Sequence, residues 1–496
     1  MHAAAKKMLL KDLLPDAKCP AELEVTGLSS DSRSMEAGHL FAALPGGTSH
    51  GAQFFREAVA AGATAAITDE EGAKIAATDP NGAGIPVVVC KDPRSDLACA
   101  AARWFGGHPD TVVAVTGTNG KTSIVSMTRQ IWEFLGREAA SVGTLGVEGA
   151  YRESLRHTTP DPVTLHRILG NLRRREVDCA ALEASSHGIL QRRIDGVRLK
   201  AAAFTNLSHD HLDYHVDFEE YFNAKARLFE CVLRSDSTAV VCNSQSYGRR
   251  ISAIAKARGI EVIEVGERAG STLRIVARRY GETGQELHFE WKGNRKKARL
   301  NLVGRFQGSN ALTAAGLAIA SGDNPEDVFR SLENLGTVRG RMELAARVEN
   351  GSPIYIDYAH TPAALAAALE SLRPHTVGRL CVVFGAGGDR DKSKRRFMGE
   401  AAARYADSVF ITDDNPRNES PASIRSQILL GCPGAREIED RAAAIFEAVS
   451  SLGPGDGLLI AGKGHETGQI VGETVYPFND GEQASISARL SDGKGT

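Results

Sequence analysis

The chain has 496 residues, of which 42% are hydrophobic and 24% charged, with a formal net charge of -2. That length exceeds one ordinary core and predicts about three domains. The near-neutral balance lacks the basic excess of a nucleic-acid binder or an anionic-membrane binder. The opening segment has only a short apolar run before Lys11 and Asp12, so no signal peptide is expected, and no later run approaches membrane-spanning length. Eight cysteines are scattered without a CxxC pair. That usage fits buried thiols in a reducing compartment rather than disulfides or zinc, and the expected location is the cytoplasm.

From Leu9 to about Pro109, short strands (LFAAL, ATAAIT, PVVVC) alternate with alanine-rich helical stretches and end in the loop Gly106 to Pro109. An apolar run then leads through a glycine-rich turn into a helix starting near Lys121, the strand–loop–helix order of a phosphate-binding α/β unit. Buried strands are predicted in VDCAALEA, LKAAAFTNL and STAVVC, alternating with helices, which implies a mostly parallel sheet covered on both faces. Between Ser271 and Leu302 the period changes to two, and a small antiparallel insert is expected there. A helix from about Ser309 to Ala320 closes the unit. A third α/β series follows, with strands IYIDYA, LCVVFGAG, SVFITDD and GLLIAG. The expected domains are therefore residues 1–109, 110–338 and 339–496.

The segment TGTNGKTS, Thr116 to Ser123, stands where a strand hands over to a helix. Successive amides in such a loop, with the helix N-terminus, form a concave anion site; Lys121 adds positive charge and the Thr122 hydroxyl can meet Mg²⁺. The match covers only the end of GxxxxGK[ST], because Val115 stands where the first glycine would be. The bland alternative is a glycine turn with a solvated lysine. Glu183 ends an apolar strand, where α/β sheets bind ligands, although a capping or salt-bridged carboxylate reads the same way. Ser185-Ser186-His187 invites a hydrolase reading, but the G-x-S-x-G elbow is absent. TNLSHDHLDYH could be a zinc site or a polar loop, and Lys225 by itself is a solvated lysine. Three loops, GAGGDRDKSKR, DDNPRNE and GKGHE, each follow a predicted strand of the third series, so they can converge at one sheet end.

TGTNGKTS resembles the phosphate loop of the Mur ligases and of their relative folylpolyglutamate synthetase. HTTPDP (157–162) and EASSHGILQRR (183–193) resemble the segments with which the diaminopimelate- or lysine-adding branch of the Mur ligases holds a UDP-muramyl dipeptide. The resemblance runs through nearly the whole chain. It implies an α/β fold of three domains, with a central P-loop mononucleotide-binding, mostly parallel sheet and a Rossmann-like C-terminal domain. The implied activity is ATP-dependent addition of meso-diaminopimelate to the D-glutamate γ-carboxylate of UDP-N-acetylmuramoyl-L-alanyl-D-glutamate, through an acyl phosphate, in peptidoglycan synthesis.

By the same resemblance, ATP meets Gly117, Thr118, Asn119, Gly120, Lys121, Thr122 and Ser123, together with Asn310 (in NLVGRFQGSNALTAA) and Arg341 (in GRME). Asp357, in IDYAHTP, stands near the nucleotide. Ser32, Gly47, Thr48, Ser49, Thr158, Thr159, Ser185, Gln191 and Arg193 contact the UDP-muramyl dipeptide. Two Mg²⁺ ions are implied, held by Thr122, Glu183, His211 and Lys225, the last carbamylated to N6-carboxylysine, and Lys121, Glu183, His211 and Lys225 form the catalytic set. Carbamylation converts a cation into an anion able to coordinate Mg²⁺. Arg390, Asp414, Asn415, Pro416, Arg417, Gly462 and Glu466 receive diaminopimelate; arginines suit its distal carboxylate, and amide and carboxylate oxygens suit its ammonium. Arg417 in DNPR is associated with the diaminopimelate-adding branch. The expected form is a monomer whose third domain closes over the cleft, with no nucleic-acid partner and no membrane insertion. The alternatives are a lysine-adding homologue, a folylpolyglutamate-type ligase and a non-catalytic ATP-binding module.

Overall fold

The computed structural model describes residues 6–47, 49–78, 84–208 and 214–492. Proline and short polar side chains set many helix starts. Helices Pro93–Phe105, Pro162–Arg174, Pro325–Ser331 and Pro362–Leu372 each begin on a proline whose missing N–H costs nothing there, and each is capped by the preceding Asp92, Asp161, Asn324 or Thr361.

Three parallel-sheet layers follow one another along the chain. The first pairs strands Gly27–Ser29, His39–Ala42, Ala65–Thr68 and Val87–Val89 in that order, all parallel. The central sheet has ten strands among the described residues. At its middle, Thr111–Thr116 lies between Cys179–Glu183 and Ala201–Phe204, parallel to both. Successive strands go to opposite sides of this one, so their loops diverge beyond its C-terminal end and leave a crevice, the position where open α/β sheets bind ligands. The third sheet has the order Glu343–Arg347, Pro353–Asp357, Gly457–Ala461, Leu380–Phe384, Ser408–Ile411, Arg436–Glu437, parallel except for its first strand.

Helix Lys121–Phe134 and helix Arg305–Ala320 pack together on one face of the sheet, with Ile124, Ile131 and Trp132 fully buried. Each such aliphatic side chain contributes roughly 1.5–3 kcal/mol of transfer free energy. Helix Arg305–Ala320 is buried on nearly every side, as a helix enclosed between layers is. It begins four residues earlier than the sequence pattern places it.

The residues after Ser271 form the expected antiparallel insert, Leu273–Gly281, Gly284–Trp291 and Asn294–Leu300, and it is continuous with the central sheet because Leu273–Gly281 pairs parallel with Glu261–Gly266. Leu273, Ile275, Leu287, Phe289, Ala298 and Leu300 then bury their alternating apolar face in the same core as the parallel strands. Among the described residues, no helix is long and apolar enough to cross a membrane.

Candidate active site

The phosphate loop leaves the central strand and turns at two glycines whose backbone conformation and close neighbours disfavour any side chain. Gly117 has φ +144°, and a Cβ there would stand 1.8 Å from Thr205 Oγ1; Gly120 has φ +89°, and its Cβ would stand 2.9 Å from Asn310 Oδ1. The loop is braced from the neighbouring strand: the amide of Asn119 donates to Asn206 Oδ1 at 3.0 Å, and Thr205 Oγ1 donates to the Asn119 carbonyl at 2.7 Å. Thr118 is buried, with Oγ1 3.1 Å from the Tyr221 hydroxyl. Lys121 folds over the loop and donates to the carbonyls of Gly117 and Thr118 at 2.9 and 2.7 Å.

A cleft of about 500 Å³ opens from this loop. Lys121, Thr122 and Ser123 form its floor, and Glu183, Thr144, Thr158 and Ser185 form one side. Arg341, Asp357 and Tyr358, all from the third layer, face them. Beyond Asn310 the wall becomes apolar, with Phe306 and Ala363, Ala364, Ala367 and Ala368, a surface suited to a flat aromatic ring.

Glu183 is buried and held in place. The Thr144 amide donates to its Oε1 at 2.8 Å and the Thr144 hydroxyl to its Oε2 at 3.2 Å. Thr144 Oγ1 in turn lies 3.0 Å from Thr158 Oγ1. Thr159 Oγ1 donates to the Glu183 carbonyl at 2.8 Å, and Arg193 Nη1 donates to the Thr159 carbonyl at 2.6 Å. Gln191 Oε1 accepts from Arg193 Nη2 at 2.7 Å, and Ser185 caps the short helix Ser186–Leu190. Residues from both dipeptide-type motifs are thus one hydrogen-bonded network ending on Glu183. The serine-hydrolase reading finds no support: Ser185 Oγ serves as a helix cap and Ser186 Oγ lies 3.1 Å from His215 Nε2, with no elbow geometry.

On the facing wall, Asp357 accepts from the amides of Met342 and Ala359, each at 2.8 Å. Burial pushes its carboxyl above the ordinary range, against the pull of Arg341 and those two amides. Arg341 lies 4.5 Å over the Tyr358 ring and donates to Thr122 Oγ1 at 3.2 Å.

Lys225 sits on helix Phe218–Arg227, 1% exposed, with Nζ 3.0 Å from the Gly117 carbonyl and 4.3 Å from the Tyr221 ring centre. It therefore lies behind the phosphate loop rather than in solvent. His211 and Thr48 lie outside the described residues. Thr122 and Glu183 bring oxygen donors to one cleft, which suits a hard cation such as Mg²⁺. As an amine Lys225 offers only donors, and it fits a cation once it is a carbamate. Among the described residues no cluster of three or more metal-ligating His, Cys, Asp or Glu side chains forms.

Ser32, Gly47 and Ser49 stand apart from this cleft, in loops that follow the adjacent parallel strands Gly27–Ser29 and His39–Ala42. In the third layer the three predicted loops do meet at one sheet end. Asn415 Nδ2 donates to Glu466 Oε2 at 2.9 Å, and the buried Lys463 donates to both side chains. A Cβ on Gly462 would stand 2.6 Å from Asp414 Oδ2. Arg417 has φ +50° and donates to the Gly388 carbonyl at 2.8 Å, while Arg390 donates to the Asp389 carbonyl at 2.9 Å. The sequence reading missed Thr144 and Lys463. Lys463 lies inside the GKGHE motif that the sequence reading had marked, whereas Thr144 follows a strand, neighbouring that of Glu183, that the reading had not singled out.

Mur ligase profiles match three successive stretches: the family's catalytic domain at residues 24–104, its middle domain at 115–318 and its glutamate ligase domain at 340–464. The UDP-N-acetylmuramoyl-L-alanyl-D-glutamate--2,6-diaminopimelate ligase of Bradyrhizobium diazoefficiens is 48% identical over 98% of this chain and 100% of that protein. Its namesake from Brucella melitensis is 48% identical over 95% and 96% of the two chains. A solved structure of a ligase with that name superposes with a TM-score of 0.71 at 29% identity, over 99% of both chains. A Mycobacterium tuberculosis folylpolyglutamate synthase shares the fold at TM-score 0.61 and 20% identity, over 74% of this chain and 91% of that one. With all three family segments in order along the chain, and near-half identity along its full length, this chain belongs to the Mur ligase family.

Proposed function

We infer that this chain is the ATP-dependent ligase that joins meso-diaminopimelate to the D-glutamate γ-carboxylate of UDP-N-acetylmuramoyl-L-alanyl-D-glutamate in peptidoglycan synthesis. The observation that carries the reading is one cleft in which the phosphate loop, Glu183 and Arg341 face each other. The loops of Arg390 and Arg417 at the end of the third sheet add to it. Full-length similarity to ligases of that name supports the same activity. The enzyme acts in the cytoplasm as a monomer, with domains at 1–109, 110–338 and 339–496.

A carboxylate is a poor electrophile and must be activated before an amine can displace anything from it. The γ-carboxylate attacks the γ-phosphorus of ATP, forming an acyl phosphate and releasing ADP. Two anions meet in that step, and Lys121 beside them lowers their repulsion. Thr122, Glu183, His211 and a Lys225 carbamate would hold the two Mg²⁺ ions, which would supply further neutralisation of phosphate charge. Asn310 meets the adenine, and Arg341 meets the phosphates. The Thr158, Thr159, Ser185, Gln191 and Arg193 network orients the dipeptide, while Ser32, Gly47, Thr48 and Ser49 hold the uridine end. The amine of diaminopimelate then attacks the acyl carbon, and phosphate leaves from the tetrahedral adduct. Arg390 and Arg417 take the distal carboxylate, and Asp414, Asn415 and Glu466 the distal ammonium.

The test is phosphate release from ATP with the UDP-muramyl dipeptide, comparing meso-diaminopimelate with lysine, and the mass of the product. Release that depends on diaminopimelate, with the matching mass gain, is expected. Preference for lysine overturns the assignment of the amine, and release with neither overturns the ligase reading.

A further inference from the structure

The two loops assigned to the distal head of diaminopimelate leave adjacent parallel strands, Leu380–Phe384 and Ser408–Ile411. Loops of this length need something to fix their spacing. The chain supplies it with a fully buried cation: the Arg395 side chain is 0% exposed. Its guanidinium grips Glu419 bidentately, Nη1 to Oε2 and Nη2 to Oε1, each at 3.0 Å. The same group donates to the Gly387 carbonyl at 3.1 Å and to Gln427 Oε1 at 3.0 Å. Glu419 also accepts the Asp389 amide at 2.7 Å, and the Asp389 carboxylate accepts Asn418 Nδ2 at 2.9 Å. Every bond in this set crosses between the two loops or anchors one of them.

Arg390 and Arg417 stand immediately beyond the clamp. A Cβ on Gly387 would lie 2.8 Å from Arg417 Nη1 and 3.8 Å from Arg390 Cγ, so the two arginines flank this one backbone position. Both guanidiniums donate only to main-chain carbonyls, and among the described residues neither has an ion-pair partner. Their charge stays available for an incoming carboxylate, while Arg395, with its carboxylate already in place, does not compete for one. A bidentate pair resists rotation as well as separation, so it sets orientation and distance together.

We propose that the Arg395–Glu419 pair is a positioning element that holds Arg390 and Arg417 at the separation needed for a carboxylate at the far end of the amine substrate. The proposal rests on the assignment of those two arginines to that carboxylate. Neither Arg395 nor Glu419 touches substrate. Both act through the loops, and selection of a diamino acid with a second carboxylate over one without follows from the spacing they impose.

The test compares Glu419→Gln, Arg395→Lys and Arg395→Met with the wild type in steady-state phosphate release, varying meso-diaminopimelate, lysine and ATP in turn. The expected result for Glu419→Gln is a KM for diaminopimelate raised roughly tenfold or more, since small misplacements at a reacting site are costly. The KM for ATP stays unchanged, and the preference for diaminopimelate over lysine falls. Arg395→Lys, which keeps the charge without the fork, falls between wild type and Arg395→Met. Arg379→Met serves as control: it breaks the Arg379–Asp456 pair at the opposite end of the same sheet and lowers the melting temperature without changing the KM for diaminopimelate. An unchanged KM in Glu419→Gln, or a change in the control that matches it, overturns the proposal even if the wild type is diaminopimelate-dependent. A wild type indifferent to diaminopimelate overturns the site assignment and the proposal together. Should the Arg395 variants not fold, Glu419→Gln carries the test alone.

Discussion

Arg341 Nη2 donates to Thr122 Oγ1 across 3.2 Å, although the two residues are 219 positions apart. Thr122 belongs to the first turn after the phosphate loop, and Arg341 stands just before the third sheet, stacked on Tyr358. The contact links the C-terminal layer to the place where nucleotide phosphates are proposed to sit. Among the described residues neither group is locked into a carboxylate pair, so both can exchange this bond for one to phosphate.

Replacing Arg341 with Met is expected to lower kcat/KM for ATP by roughly ten- to a hundredfold, because a hydrogen bond to a charged group contributes about 1.5–3 kcal/mol. The KM for diaminopimelate should not move. Nucleotide titrations with wild-type parameters in the variant would place the phosphates away from Arg341.

Thr144 touches Glu183 with both its amide and its hydroxyl. Thr144→Val removes one of these bonds and keeps the shape. Loss of a partner that orients a metal-binding carboxylate costs about 10–100-fold in metal affinity. Phosphate release titrated with Mg²⁺ should therefore need more metal in the variant, with the maximum rate recovered in excess. A coincident titration curve would remove Glu183 from the metal site.

Arg417→Met should abolish diaminopimelate use while leaving ATP binding intact. Truncating one member of a desolvated charge pair costs roughly 2–5 kcal/mol, so a fall of at least about thirtyfold in kcat/KM for the amine is expected. ADP binding followed by calorimetry provides the control. Retained diaminopimelate turnover would assign the distal carboxylate to Arg390 alone.

His166 is fully buried; its Nε2 lies 3.0 Å from the Asp195 carbonyl, and its Nδ1 has no hydrogen-bond partner among the described residues. Burial holds its pKa down at about 4, against an ordinary 6.5. The unfolded chain then binds the extra proton first, so stability is fully present above pH 6.5 and is lost as pH falls from 6.5 towards 4, by on the order of 3 kcal/mol. His465, lowered to about 4 by burial and by Arg341, acts in the same direction. Denaturant midpoints at pH 7 and pH 4.5 should lie closer together in His166→Gln than in the wild type. An unaltered gap would mean that other groups govern acid unfolding.

What could be read from the sequence alone was whatever consecutive residues encode. The apolar strands and the TGTNGKTS turn depend on periodicity and on local backbone chemistry, and they fall where the pattern puts them. The three loops of the third series were also legible, because each follows a strand and parallel strands carry their C-terminal loops to one edge. The tertiary structure alone decided which of these positions touch. Thr144 reaches Glu183 across 39 residues because their strands are neighbours in the sheet, and Arg341 reaches Thr122 because two layers pack together. Arg395 looked like one more charge in GAGGDRDKSKR, yet burial against Glu419 makes it the tie between two loops. Lys225, which by itself reads as a solvated lysine, lies behind the phosphate loop, and the antiparallel insert after Ser271 extends the main sheet through its first strand. Strand order and packing are set by the global burial of apolar faces, a property of the whole chain that no local pattern contains.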